Sequence, residues 1–350
     1  MRRLGFAVYL RRLVPGAAPG KLGPGRERIL GRIHIVSAVT SRLIAGVIAL
    51  SGLALAPAEA ASIDWSKIEG KDITLFYPAQ MSWESVLTQQ DHSGASKFRD
   101  GKDCRACHED EERASGGVLV AEPDLEPEPI KGKPGFLDMV VKIAHDAERM
   151  YVHVEFKTDK QPDAAMDKIF ETKVAMMIDD GKISEAARAG CWATCHDNMT
   201  RMRSAGAKEV TKYLARSRVD MTRQGSDAVK PAADIAKMRA AGEYMEYWQA
   251  RLRAGQPVDV ADGTVLEKRA EHSGPIVEAE ATQADGKWAV TFSRKLTGAG
   301  DLTKDFVTGK TYTVGFSVHA GHTAHRFHYV SLEKTLVLDS GKADFVVGKP

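Results

Sequence analysis

Hydrophobic and polar positions divide this chain into short runs rather than long periodic stretches. Ile73-Thr74-Leu75-Phe76-Tyr77-Pro78 reads as one short strand. Met139 to Ile143 and Met150 to Phe156 read as two more, separated by a turn at His145-Asp146-Ala147-Glu148. Lys173 to Ile178 is a strand closed by Asp179-Asp180-Gly181. Trp288 to Phe292 alternates after an Asp285-Gly286 turn, and Tyr312 to Val318, Tyr329 to Leu332 and Thr335 to Leu338 follow as strands. One helical pattern stands out over 232–253, where Ile235, Met238, Met245 and Trp248 recur between Pro231 and Gly255. Many short strands, turn punctuation and one or two helices predict a mainly β fold, a β-sandwich with helical inserts.

Polar segments set the expected boundaries. Residues 61–120 turn loop-like after the first strand, and 121–135 (AEPDLEPEPIKGKPG) carry four prolines, three Glu and one Asp. That composition predicts a linker or a long surface loop. The expected organisation is a leader over 1–60, an N-terminal segment over 61–120, a linker over 121–135 and a sandwich domain over 136–350.

The leader is read from its asymmetry. Residues 1–60 hold nine Lys or Arg and only two acids, then an apolar run from Leu43 to Leu55, then Ala58-Glu59-Ala60. A positive flank, a short apolar stretch and a small-residue site are the parts of a secretory signal. The run has 13 residues, short of the roughly 20 that span a bilayer. Residues 1–30 are long and rich in Gly, Pro and Arg for a leader, so the reading places the start of translation downstream, near Val36 or Val39. Export to the periplasm with cleavage near Ala60 is the expectation, and the only membrane contact is the transient leader.

Charge then changes sign. The whole chain has 49 Lys+Arg against 47 Asp+Glu, a formal +2. Without residues 1–60 the balance is 40 against 45, a net charge of about −5. An exported acidic protein has no electrostatic reason to bind nucleic acid. A disulfide scaffold is excluded by four cysteines in 350 residues.

Those four cysteines carry the chemistry. They stand as Cys104-Arg105-Ala106-Cys107-His108 and Cys191-Trp192-Ala193-Thr194-Cys195-His196. The first has the C-x-x-C-H spacing of c-type haem attachment. Two thiols add across the two vinyl groups of one haem, and the adjacent imidazole binds the iron. The second motif has one extra residue between its cysteines, which a loop can absorb. Zinc, a local disulfide at each motif, or an iron–sulfur cluster shared between the two pairs are the competing uses. The favoured reading is two covalent haems c, held by Cys104 and Cys107 and by Cys191 and Cys195, with His108 and His196 as proximal iron ligands.

The sixth ligands must come from elsewhere. His92 lies in a polar loop 12 residues before Cys104 and is the candidate for the first haem, with Met81 behind it. Four of the 11 histidines crowd between His319 and His328, in an expected loop between two strands, and these are the source for the second. Met199 and Met202 read as core, His145 as a turn residue and His153 as a strand-surface residue.

The order of Lys173–Asp180 (KVAMMIDD), Gly190–Met199 (GCWATCHDNM), Tyr244–Arg251 (YMEYWQAR), Asp285–Leu296 (DGKWAVTFSRKL) and Tyr312–Leu338 resembles the haem-binding domain of the ethylbenzene dehydrogenase gamma-subunit type. Dimethyl-sulfoxide-reductase-type molybdoenzymes and some c-type cytochromes share this domain. The resemblance spans roughly residues 130–345, and Ile63 to His108 looks like the extension of its multi-haem relatives. It implies a β-sandwich whose end loops hold a haem, b-type and bound by Met and Lys in the molybdoenzyme subunits. Here the place of the Lys falls on His328 in Phe327-His328-Tyr329, and the Met region falls on the second cysteine motif. The resemblance therefore implies His196 proximal and His328 distal in that pocket.

Together these features point to a periplasmic dihaem cytochrome that carries electrons rather than an enzyme. Expected partners are other redox proteins: cytochromes, a quinol dehydrogenase, or a periplasmic reductase or dehydrogenase. The alternatives are a haem subunit of a periplasmic molybdoenzyme complex and a haem enzyme with one open iron site.

Overall fold

The computed structural model of the chain describes residues 63–350, so the expected leader lies outside the described residues. In chain order the elements are β1 (Lys71–Phe76), α1 (Trp83–Leu87), α2 (Ala95–Arg99), α3 (Arg105–His108), α4 (Glu112–Leu119), β2 (Phe136–His145), β3 (Arg149–Lys157), β4 (Thr172–Asp179), α5 (Ser184–Ala189), α6 (Ala232–Ala240), β5 (Met245–Leu252), β6 (Asp259–Val265), β7 (Arg269–Glu271), β8 (Glu278–Ala284), β9 (Lys287–Lys295), β10 (Thr311–Ala320), β11 (Tyr329–Val330), β12 (Lys334–Leu338) and β13 (Phe345–Val347).

The strands form two antiparallel blocks. One runs β7-β6-β5-β4-β10, the other β1-β2-β3-β9-β8, and the two-residue β11 pairs with both β10 and β1. A single core joins the inner faces: Leu75, Met139, Val141 and Val152 of one block pack with Val174, Met176, Trp248 and Phe316 of the other. Two apolar faces closed on one core are a β-sandwich, as the hydrophobic runs predicted.

Three expectations change. The helix predicted over 232–253 stops at Ala240; after a turn at Gly242 the chain becomes strand β5. All but one of the β5 residues are buried, because the strand lies between β4 and β6 with both faces covered. Such a strand loses period-two alternation, and its Met245 and Trp248 mimic helical spacing. The stretch 121–135 is a packed loop and not a linker between bodies. Its Glu126 is buried and hydrogen-bonded by Tyr77 and Arg326, and the described residues form one compact unit. His145 is the buried last residue of β2, bonded to Asp339, rather than a turn residue, and His153 is buried beneath the Trp65 ring.

What positions the chemistry is a pair of long inserts. Residues 77–135 leave the sheet between the paired strands β1 and β2, and residues 180–244 leave it between the paired strands β4 and β5. Each carries one cysteine motif. The inserts grip each other through backbone bonds, Trp83 N–H to the Cys195 carbonyl (2.6 Å) and Cys104 N–H to the Arg188 carbonyl (3.0 Å). A second core of Phe76, Trp83, Phe98, Trp192, Leu214 and Val330 seals the contact.

Candidate haem-binding site

The first motif sits on one helical turn. Cys104 is the N-cap of α3 and His108 its last residue, with the His108 N–H bonded to the Cys104 carbonyl (2.9 Å). The turn is pinned from both sides. The Arg105 N–H donates to Glu333 Oε1 (3.0 Å), the Ala106 N–H to Asp103 Oδ1 (2.7 Å), and the Arg105 guanidinium to Asp344 (2.7 Å). Cys104 is buried and Cys107 exposed; both are free thiols.

A cavity of about 640 Å³ opens beside this turn, lined by His92, Phe98, Cys104, Cys107, His108 and Trp192 among others. That volume suits a small-molecule or cofactor site. His92 and His108 both line it, with ring centroids 6.0 Å apart and planes 34° apart. Two metal–nitrogen bonds of about 2 Å each, plus two ring radii, come to roughly this span. His92 Nδ1 is 3.0 Å from the Val86 carbonyl, so the proton belongs on Nδ1 and Nε2 is left with its lone pair. Gly94 makes room for this: a Cβ there would lie 3.2 Å from His92 Nε2.

The second motif is built differently. Gly190–Thr194 is a 3₁₀ turn, entered through Gly190 at φ +54°, where Glu333 backbone atoms pass 3.4 Å from the place of a Cβ. Cys191 and Cys195 are both buried and free. Burial pushes the Cys191 thiol up to about 12 and the Cys104 thiol well above its ordinary value, with Cys191 adding to the latter.

Cys195 opens on a second cavity of about 660 Å³, which Trp192, Met199, Lys212, His319 and His328 also line. His328 Nδ1 is 3.1 Å from the His325 carbonyl, which again leaves Nε2 free. Burial, with Lys212 adding, pulls His328 down to about 3, so its imidazole is neutral as an iron ligand must be. His319 lies at the end of β10 rather than in the expected loop, stacked on His328 with centroids 4.8 Å apart. His325 reaches the rim, while His322 faces Asp163 at 3.7 Å.

His196 is placed behind this wall. It is fully buried, with Nδ1 2.5 Å from Glu84 Oε1 and Nε2 3.0 Å from the Tyr213 carbonyl, and its ring stacks on Tyr213 at 3.8 Å. Glu84 also accepts from the Asp197 N–H (2.9 Å), so one carboxylate on α1 fixes the residue and its successor. The structure thus brings together Cys195 and His328 at the second cavity and keeps His196 and Cys191 in the packed layer beside it.

Sequence reading missed Glu84, Lys212 and Glu333. Lys212 is 2.8 Å from Cys195 Sγ. Burial pulls its ammonium down, but the thiols of Cys195 and Cys191 outweigh that and hold it above its ordinary value. Glu333 touches both motifs, and burial pushes its carboxyl up to about 7. Nothing in the local pattern around these three residues marks them. Zinc gains no support, since among the described residues no cluster of three or more His, Cys, Asp or Glu could hold a metal ion.

The ethylbenzene dehydrogenase family model matches residues 62–275 and 263–331. A cytochrome c-552 of Stutzerimonas stutzeri is 32% identical over 80% of this chain and 89% of its own. A cytochrome c-551 of Rhodocyclus tenuis is 28% identical over 77% and 92%. Among solved structures, a family 9 carbohydrate-binding module from Caldicellulosiruptor kristjanssonii in complex with glucose is 10% identical over 56% of this chain and 66% of that one, at a TM-score of 0.26, too low to carry an argument. The sandwich, the cysteine motifs on its inserts and these matches show that the chain belongs to the ethylbenzene dehydrogenase family, as a c-type cytochrome built on that family's domain.

Proposed function

We propose that this protein is a periplasmic dihaem cytochrome that relays single electrons between redox proteins. The observation that carries the reading is that each cavity is lined by cysteine from one motif, Cys104 and Cys107 at the first and Cys195 at the second, and by a histidine, His92 or His328, whose Nδ1 faces a backbone carbonyl and leaves Nε2 free. At the first, Cys104 and Cys107 would hold the haem, His108 would be the proximal ligand and His92 the distal one. At the second, Cys191 and Cys195 would hold it, with His196 proximal and His328 distal. The haems supply reversible one-electron chemistry at iron; every other task falls to the chain.

Several features fit that group. The second cavity carries Lys173, Lys212, Arg251, Arg269 and Arg326 against Asp167 and Glu271, a positive excess suited to propionates. Glu84 on His196 Nδ1 is the carboxylate partner that ligating histidines use. Ligation by His196 requires its Nε2 to exchange the Tyr213 carbonyl for iron. With His92 and His328 as sixth ligands, neither iron would keep an open catalytic position. Similarity over about nine-tenths of the length of two cytochromes favours a free-standing carrier over a subunit. No helix among the described residues is long and apolar enough to cross a membrane.

An optical redox titration with low-temperature EPR tests this. Two one-electron steps with only low-spin iron in both oxidation states are expected. A persistent high-spin signal from one iron would instead indicate an open site.

A further inference from the structure

Trp192 occupies a place that neither motif alone requires. It is the first of the three residues between Cys191 and Cys195, one more than the first motif has between its cysteines. Its side chain lines both cavities, and Met81 is the other side chain of the inserts that does so. At those two side chains the wall between the cavities is one residue thick. The indole is held edge-on by Phe76 at the end of β1, with ring centroids 5.2 Å apart. Trp192 is buried, yet its Nε1–H has no hydrogen-bond partner. A buried indole N–H without an acceptor is costly unless a ligand fills the space beside it. The two motifs also approach each other here, since the Cys104 N–H donates to the Arg188 carbonyl (3.0 Å), three residues before Cys191.

Resting on the dihaem reading, we propose that Trp192 is the bridge between the two haem sites, and that the longer spacing of the second motif serves to seat this indole in their shared wall. Electron tunnelling weakens steeply across gaps and less through a conjugated ring in van der Waals contact on both sides. With both haems bound, the indole would couple the passage of one electron from the reduced haem to the oxidised one. Trp192 stays closed-shell throughout, and neither a proton nor an atom moves. Met81 fills the remainder of the wall with a saturated thioether and offers no such ring.

The test uses the full exported protein with its haems. Intact mass first counts haems in the wild type, W192F and W192L, and intramolecular transfer is then timed after rapid photoreduction of one haem. W192L should slow transfer about tenfold, equivalent to about 1.4 kcal/mol of barrier, and W192F should stay within about threefold of the wild type. Both reduction potentials and both low-spin signatures should remain unchanged in W192L, which separates a lost bridge from a disturbed iron site. If W192L does not mature with two haems, W192M supplies the same non-aromatic contrast. An unchanged rate in a two-haem W192L or W192M protein would overturn the bridge and leave the dihaem reading standing. A wild-type mass with a single haem would overturn both.

Discussion

His92 can face His108 only because Gly94 leaves space for its ring and the Val86 carbonyl takes its Nδ1 proton. His92→Ala should therefore convert one haem to high spin without loss of covalent haem, and Gly94→Ala should weaken the same ligation by displacing the ring. An unchanged spectrum in H92A would remove His92 from the site. His328→Ala should do the same to the other haem, and spectra of the double variant should show both. At His196 the informative partner is Glu84. A carboxylate on Nδ1 makes the imidazole a stronger donor and favours ferric iron. Glu84→Gln should thus raise one reduction potential and leave the other in place; two unmoved potentials would show that His196 does not bind iron. Cys104, Cys107, Cys191, Cys195 and the adjoining histidines stand out in the sequence because the thioether chemistry proposed for them would fix their spacing along the chain. Glu84 was not, since it meets His196 from a different insert, 112 residues away.

At the scale of elements, β9 and β5 mark the two outcomes. β9 alternates buried and half-buried positions along Trp288 to Arg294, and its pattern was plain. β5 is covered on both faces and was mistaken for the continuation of α6. The Pro- and Glu-rich loop read as a linker because composition does not reveal that Glu126 is buried against Arg326 and Tyr77. This pair ties the loop to the segment that carries His328. Glu126→Ala leaves a buried guanidinium uncompensated and should cost about 3–5 kcal/mol in denaturant unfolding; a loss below about 1 kcal/mol would show that the loop is not fastened there. Glu333 fastens α3 to the turn at Gly190 in another way. Burial raises its folded pKa from 4.5 to about 7. Its contribution is therefore full below pH 4.5 and is lost as pH rises to 7 and beyond. The lost stability amounts to about 3 kcal/mol at most. Glu333→Gln should flatten stability over that window, and an unchanged pH profile would contradict the assignment.

For the molecule as a whole, the two inserts matter more than the sandwich that bears them. The sheet supplies a rigid frame, while the inserts between β1 and β2 and between β4 and β5 place two cysteine motifs back to back. A net charge of about −5 beyond residue 60 suits a cationic redox partner. Electron exchange with a basic small cytochrome should slow as salt rises from about 0.01 to 0.15 M, because the Debye length falls from about 30 to 8 Å. A rate that rises with salt would mean that the docking face is positive. All of this depends on two haems being present, including one at a motif with an extra residue between its cysteines. The most direct measurement is the intact mass of the exported protein under denaturing conditions, paired with a haem-stained gel. The account predicts the mass of the processed chain plus two haems in the wild type, and one haem fewer when Cys191 and Cys195 are both replaced by Ala. A wild-type mass with one haem, or a double variant that still carries two, would contradict it.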